Sequence, residues 1–317
     1  MAANWMRRTV LVAACASAAL LAACGSSTTE SAITPERFIA FGDANTDVGQ
    51  KGSLYTVNDG SVNNWTLQLV GNYGKALTPA ATGGKSYAVG NARVAAKPDA
   101  TGNASTPTIT EQIDTFLAGN SFGANDVVIL SGGISDVIAG MAAVNAGTQT
   151  EAAMVAASRK AGEDMAAQVR RLVTAGAKYV VVAGTYNLSK TPWAKTIGRE
   201  ALLADASSRF NDGLLVGIVD LGANVLYVDL AYYVNLYADV PANFGFNNAT
   251  AAVCTSVDTT NGIGIGAGRV NSALCNSSTL LSGANQSSYV FADPVYLTPS
   301  AHRQFGTYAY DRLKARW

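Results

Sequence analysis

Arg37-Phe38-Ile39-Ala40-Phe41-Gly42-Asp43-Ala44-Asn45-Thr46-Asp47-Val48-Gly49 is the stretch on which the fold turns. It opens as a short apolar run and breaks at Gly42 into a polar turn. A run with no polar alternation suits a strand buried on both faces, as in a parallel sheet covered by helices. The tip of a turn after such a strand is a common place to display a reactive side chain. Ala44 stands at that tip and has no chemistry to offer.

Further apolar runs at Val127–Leu130, Tyr179–Ala183 and Val225–Asp229 repeat the pattern, with helical periodicities between them. Thr108-Ile109-Thr110-Glu111 reads as a capping box. Met154, Met165, Val169, Leu172 and Val173 mark an apolar face over Glu151–Ala175, and Leu203, Phe210, Leu214 and Ile218 mark another over Glu200–Leu221. Thr298-Pro299 starts a last helix, with an N-cap threonine and proline at the first helical position. This alternation predicts one domain, residues 36–317, of three-layer α/β/α architecture around a central parallel sheet. The Asn- and Gly-rich region from Pro241 to Gln286 reads as a long insertion.

The 317 residues are 49% apolar and 14% charged, a foldable composition. Basic and acidic residues balance at 22 each, so no strong field points to nucleic acid or to an anionic membrane. At the N-terminus, Arg7 and Arg8 precede an apolar stretch, Thr9–Ala23, too short to span a membrane comfortably and suited to an export signal. Leu21-Ala22-Ala23-Cys24 resembles the lipobox of bacterial lipoprotein precursors. The resemblance implies a signal peptide over 1–23, a lipid on Cys24 and a polar tether over 24–35. An ordinary secretory signal is the alternative. Gly25, where an aspartate would imply retention at the inner membrane, makes the outer membrane the expected address in the cell envelope. Loss of the signal leaves 20 basic against 22 acidic residues. Cys254 and Cys275 then remain in an oxidising compartment, where a disulfide is the natural reading. Two cysteines and one distant histidine are poor zinc ligands, so no metal and no cofactor are expected.

Phe41-Gly42-Asp43-Ala44-Asn45-Thr46-Asp47-Val48-Gly49 resembles the first block of the SGNH, or GDSL, esterases and lipases, whose F-G-D-S carries the nucleophile. The likeness runs along the mature chain. Ser86–Val94 (SYAVGNARV) resembles the second block, Val127–Gly140 (VVILSGGISDVIAG) the third, and Phe291–Gly306 (FADPVYLTPSAHRQFG) the last. Gly176–Ala194 and Ala242–Cys254 resemble connecting segments. The resemblance implies the flavodoxin-like SGNH fold and acyl-ester chemistry: a serine attacks, a histidine takes its proton, an aspartate orients the histidine, and backbone and asparagine donors hold the oxyanion. Placed residue by residue, the nucleophile position is Ala44, the base position Tyr296, the acid Asp293, and the oxyanion positions Asn91 and Ser135. Only Asp293 matches. Gly123-Ala124-Asn125-Asp126 spells the third block more closely but precedes its strand, and so belongs at the wrong edge of the sheet.

Replacement chemistry is thinly supplied. His302, the single histidine, falls on the inward face of the last helix and reads as packed. Thr46 and Ser135 are the nearest hydroxyls, and Tyr296 is a poor base near neutral pH. Asp293 is expected to meet the Tyr296 hydroxyl or cap a helix; Asp43, Asp47 and Asp136 read as turn-bonding groups. Trp65, Trp193, Tyr232 and Tyr233 are core or groove aromatics, with Trp193 best placed for a groove. The leading functional expectation is a lipid-anchored protein that has lost ester hydrolysis and keeps the family cleft for an acyl ester, lipid or acylated glycan. A weak or rewired carboxylic-ester hydrolase and a structural envelope-interaction protein are the alternatives.

Overall fold

The computed structural model describes residue 31 and residues 33–317. The signal peptide, Cys24 and most of the tether lie outside the described residues. The fold is mixed α/β, with a four-stranded parallel sheet and eight α-helices among the described residues.

The sheet runs in the order β1 (Arg37–Gly42), β2 (Asp126–Ser131), β3 (Tyr179–Ala183) and β4 (Val225–Tyr227). Its register pairs Ile39 with Val128, Val128 with Val180 and Val180 with Val225. Successive residues point to opposite faces, and both faces are covered. Ile39, Phe41, Val128 and Leu130 meet the apolar sides of α2 (Ile109–Gly119), α4 (Glu151–Thr174) and α6 (Glu200–Ile218). Phe38, Ala40, Val127 and Ile129 meet α1 (Trp65–Asn72), α7 (Leu230–Asp239) and α8 (Pro299–Arg316). This double burial is why the strands read as unbroken apolar runs.

The local signals act as expected at the helix starts. Thr108 Oγ1 accepts from the Glu111 N–H (3.2 Å) while Glu111 Oε2 accepts from the Thr108 N–H (2.8 Å). Thr298 caps α8, accepting from the Ala301 N–H at 3.4 Å. One boundary moves. The run Val225–Asp229 is strand only to Tyr227, because Asp229 leaves the sheet to cap α7, accepting from the Tyr232 N–H at 2.9 Å. A short helix the periodicity did not mark, α5 (Pro192–Ile197), follows a Thr191 cap.

Beside β1, on the edge away from β2, segment 85–89 runs as a further strand-like ribbon. Ala40 N–H donates to Lys85 O (3.0 Å), Tyr87 N–H to Ala40 O (2.7 Å) and Val89 N–H to Gly42 O (3.1 Å). The chain thus leaves β1 for one neighbour and reaches the other neighbour later, so the order reverses at β1. In open parallel sheets that reversal opens a crevice at the carboxyl ends of the strands. Gly42 ends β1 there with φ 154°, and a Cβ on it would stand 2.4 Å from Ser131 O.

The 241–286 region carries its own small pairings: β5 (Asn248–Ala252) with β8 (Tyr289–Phe291), and β6 (Val257–Asp258) with β7 (Arg269–Val270). The Cys254–Cys275 disulfide closes it, with Cα atoms 6.0 Å apart.

Candidate functional site

The turn after β1, the turn after β2, the bend at 90–91 and the approach to α8 converge at the carboxyl edge of the sheet. Gly133 follows β2 and opens α3 (Ile134–Asn145), which places Ser135 there. Gly123 to Asp126 lie at the opposite edge, where Asp126 is fixed by Arg37.

The turn itself is held by its aspartates. Asp47 Oδ1 accepts from the N–H groups of Gly49 (2.9 Å) and Gln50 (2.7 Å), and its Oδ2 accepts from Gly90 (2.8 Å). The first and second blocks are thereby tied together. Asp136 ties the second to the third, accepting from the Val94 N–H (3.0 Å) and from Arg93 (3.2 Å). Thr46 Oγ1 is hydrogen-bonded to Ser131 Oγ, which turns that hydroxyl away from the tip.

Ala44 sits at the tip, 2% exposed. Asn91 has φ 67°, the one non-glycine residue with positive φ among those described, so the backbone geometry a glycine would favour is retained by an asparagine. Ser135 and Tyr296 are both buried, and the hydroxyl of each lacks a hydrogen-bond partner.

Asp293 is buried but does not meet the Tyr296 hydroxyl, nor does it cap α8, a role Thr298 fills. Its Oδ1 accepts from the N–H groups of Val295 (2.7 Å) and Tyr296 (2.6 Å), and its Oδ2 from the Ser272 N–H (3.0 Å). The carboxylate has become an anchor for the insertion. Burial pushes its pKa up, against those backbone donors.

His302 is 3% exposed with Nδ1 unpartnered, and burial holds it down to about 3, so it is neutral and packed. Trp65 and Trp193 are buried in the core and Tyr232 is exposed, so none of the three walls an open groove.

What packs over Tyr296 and the 90–91 bend is written in no local pattern. Tyr55 packs edge-to-face on Tyr296, with ring centroids 5.3 Å apart. A Cβ on Gly90 would stand 2.0 Å from the Tyr55 ring, so the glycine is what admits the tyrosine. Asn91 Nδ2 donates to Tyr55 Oη (3.2 Å) and to Gly262 O (3.0 Å), pinning the insertion over the bend. Ile263 follows, 2% exposed, in the same apolar cluster as Ala44, Ile134 and Tyr296. The open cleft expected from the sequence is therefore occupied by the protein's own side chains. Five cavities of about 190–590 Å³ line other surfaces, and none is bounded by Ala44, Asn91, Ser135, Asp293 or Tyr296.

Beneath the cover, polar atoms are stranded. Asp43 Oδ2, Asn45 Nδ2, Asn91 Oδ1, Ser135 Oγ and Tyr296 Oη all lack partners. Asp43 is 0% exposed, and desolvation raises it to about 7 even though the amides of Asn45, Ser135 and Ile134 favour its charged form. No group of three or more His, Cys, Asp or Glu suited to a metal occurs among the described residues. The arrangement offers backbone donors at a bend of positive φ, a carboxyl raised toward neutral pH at Asp43, and the unpartnered hydroxyls of Ser135 and Tyr296.

No protein-family model matches the chain, and no curated protein sequence matches it.

Proposed function

We propose that this chain is a lipid-anchored envelope protein built on the SGNH/GDSL scaffold that has given up ester hydrolysis. Support for the scaffold comes from the strand order: with segment 85–89 counted, the sheet follows the flavodoxin-like 2-1-3-4-5 pattern, and the F-G-D-A turn lies at its switch point. One observation carries the loss of catalysis. The two positions that would hold nucleophile and base carry Ala44 and Tyr296, 2% and 1% exposed, with Tyr55 packed edge-to-face on Tyr296. In serine hydrolases, removal of the nucleophile or base alone costs on the order of 10⁶ in kcat.

The closed cover favours the structural, envelope-interaction reading over one in which an acyl ester, lipid or acylated glycan sits at Ala44. The unpartnered atoms beneath it favour the ligand reading, because an apolar plug leaves them unsatisfied and a polar group would not. The two readings part on one requirement: a ligand at Ala44 needs Tyr55 and the 261–264 segment to move.

Short-chain aryl ester hydrolysis tests the proposal, with wild type beside Ala44→Ser/Tyr296→His, the same pair with Tyr55→Ala, and Ser135→Ala. Wild type is expected at background and the double substitution to gain little while Tyr55 stays; turnover is expected when Tyr55→Ala is added. Wild-type turnover that disappears in Ser135→Ala would overturn the proposal and support a rewired hydrolase.

A further inference from the structure

The end of the sheet opposite the site carries an exposed apolar patch. Val216 is 65% exposed and Val219 79%, at the C-terminal end of α6, with Leu215 (40%) beside them. Val216 and Val219 are the most exposed large aliphatic side chains of the described residues and lie one turn apart at one helix end. No fold-level role uses them.

The chain emerges beside this patch. Ser31 Oγ is hydrogen-bonded to Trp317 O, Trp317 stacks edge-to-face on Tyr179 at the start of β3 (5.1 Å), and Arg316 is hydrogen-bonded to Gly222 O, three residues past Val219. α6 and α8 both end at this edge, so the described chain starts where the patch lies. Six residues lie between Cys24 and Ser31, and the seven Cα–Cα steps reach at most about 25 Å when extended. A domain of this size is roughly 50 Å across. A lipid on Cys24 would therefore hold this face, and not the opposite one, at the membrane.

The charges fit. Lys75, Lys178, Lys314 and Arg316 fall at this edge, none with an ion-pair partner among the described residues, while Asp220 and Asp114 are engaged by Arg170 and Arg171. Glu36 is an exposed carboxylate at the same edge, beside the exposed and arginine-paired Asp114 and Asp220. Basic side chains around an exposed apolar patch suit a surface of anionic headgroups over acyl chains.

Resting on the lipid-anchor reading of Cys24, we propose that this N-terminal edge of the sheet docks on an anionic phospholipid surface, with Val216 and Val219 entering the headgroup–acyl boundary and Lys75, Lys178, Lys314 and Arg316 on the headgroups. The docked protein presents the covered site and the 241–286 insertion away from the bilayer.

The experiment uses the full chain, purified with its lipid and reconstituted into vesicles of phosphatidylcholine alone or mixed with phosphatidylglycerol. An environment-sensitive fluorophore is placed at Val219→Cys or at Val257→Cys, the latter 58% exposed on the insertion, with the native disulfide kept. Quenching by spin-labelled lipid is expected several-fold stronger at 219 than at 257, strongest with phosphatidylglycerol, and reduced by Lys178→Glu/Lys314→Glu. Equal quenching at 219 and 257 overturns the docking face. Quenching at 219 that ignores phosphatidylglycerol overturns the headgroup role of the basic residues. The mass of the N-terminal peptide separates the two layers of argument. A peptide without a diacylglyceryl group sinks the anchor, whereas a lipidated chain whose position 219 stays in water sinks the docking face alone.

Discussion

The two ends of one parallel sheet treat buried charge in opposite ways. At the N-terminal edge, Asp126 is met by Arg37 through Nε (2.9 Å) and Nη2 (2.5 Å) and by the Gly123 N–H (2.6 Å). Although burial works against it, these partners hold its carboxyl below the ordinary value. At the carboxyl edge, Asp43 is deeper, has one amide hydrogen bond at Oδ1 (3.1 Å, from Asn45) and none at Oδ2, and is pushed up to about 7 against the pull of the nearby Ser135 and Ile134 amides. One end is satisfied like a structural core; the other keeps the unsatisfied polar groups that functional sites tolerate. The difference teaches that the two edges differ in how far they satisfy buried polar groups, and that the carboxyl edge gives up stability at Asp43, Ser135 and Tyr296.

The largest break in this comparison is expected from pH. Asp43, raised from 3.8 to about 7 in the fold, contributes stability that is complete below about pH 4 and is lost as pH rises toward 7. His302, lowered from 6.5 to about 3, works the other way: its contribution is complete above its ordinary value and is lost as pH falls. Each shift corresponds to roughly 4–5 kcal/mol at about 1.36 kcal/mol per pH unit. Asp47 and Asp293 shift in the same direction as Asp43. Urea unfolding across about pH 4 to 8 is expected to show stability falling on acidification in Asp43→Asn and falling with rising pH in His302→Phe. Parallel curves for the two variants would show that the carboxyl edge is no different from the rest.

Next in size is the clamp on the insertion. Cys254→Ser with Cys275→Ser is expected to cost about 3 kcal/mol by freeing a loop of this length in the unfolded chain. It should also raise hydrogen exchange across 255–274 before the sheet opens. Uniform exchange throughout would mean that the cover is not a separate layer.

Arg37→Ala strips Asp126 of its partner, and 43% exposure of the arginine side chain limits the loss to roughly 1–2 kcal/mol in thermal unfolding. The smallest effects belong to the other edge. Ser135→Ala and Tyr296→Phe each delete a buried hydroxyl without a partner, so stability should stay level or rise by up to about 1 kcal/mol. A loss beyond about 1 kcal/mol in either variant would reveal a partner, such as an ordered water, and would move that hydroxyl into the satisfied class.

The readings that came through are those carried by short-range chemistry. The strands at 38–41, 127–130 and 179–183, the capping box at Thr108 and the proline start of α8 are written in neighbours a few residues apart, and the structure places each within a residue or two. The strand after residue 225 was overread because Asp229 looks like strand end and acts as helix cap. Asp293 departs from its expected roles for a different reason: its bond to Ser272 lies in the insertion, whose path no local pattern records. Tyr55 went unnoticed because nothing about a lone tyrosine in a polar turn region says what it will cover. The glycine-rich Asn261–Gly268 marked a loop without saying where it lands.

By itself, the sequence determined that the chain builds a parallel sheet covered on both faces and that a sharp turn with Ala44 at its tip comes after β1. Periodicity, caps and side-chain chemistry are properties of single residues and their near neighbours, so they survive in one dimension. Only the tertiary structure decided that the site is closed, that its polar atoms are stranded, and that Val216 and Val219 share an edge with the start of the described chain. Those facts rest on contacts such as Asn91 with Gly262, 171 residues apart, and Ser31 with Trp317, 286 apart, and burial has no value until such distant segments meet.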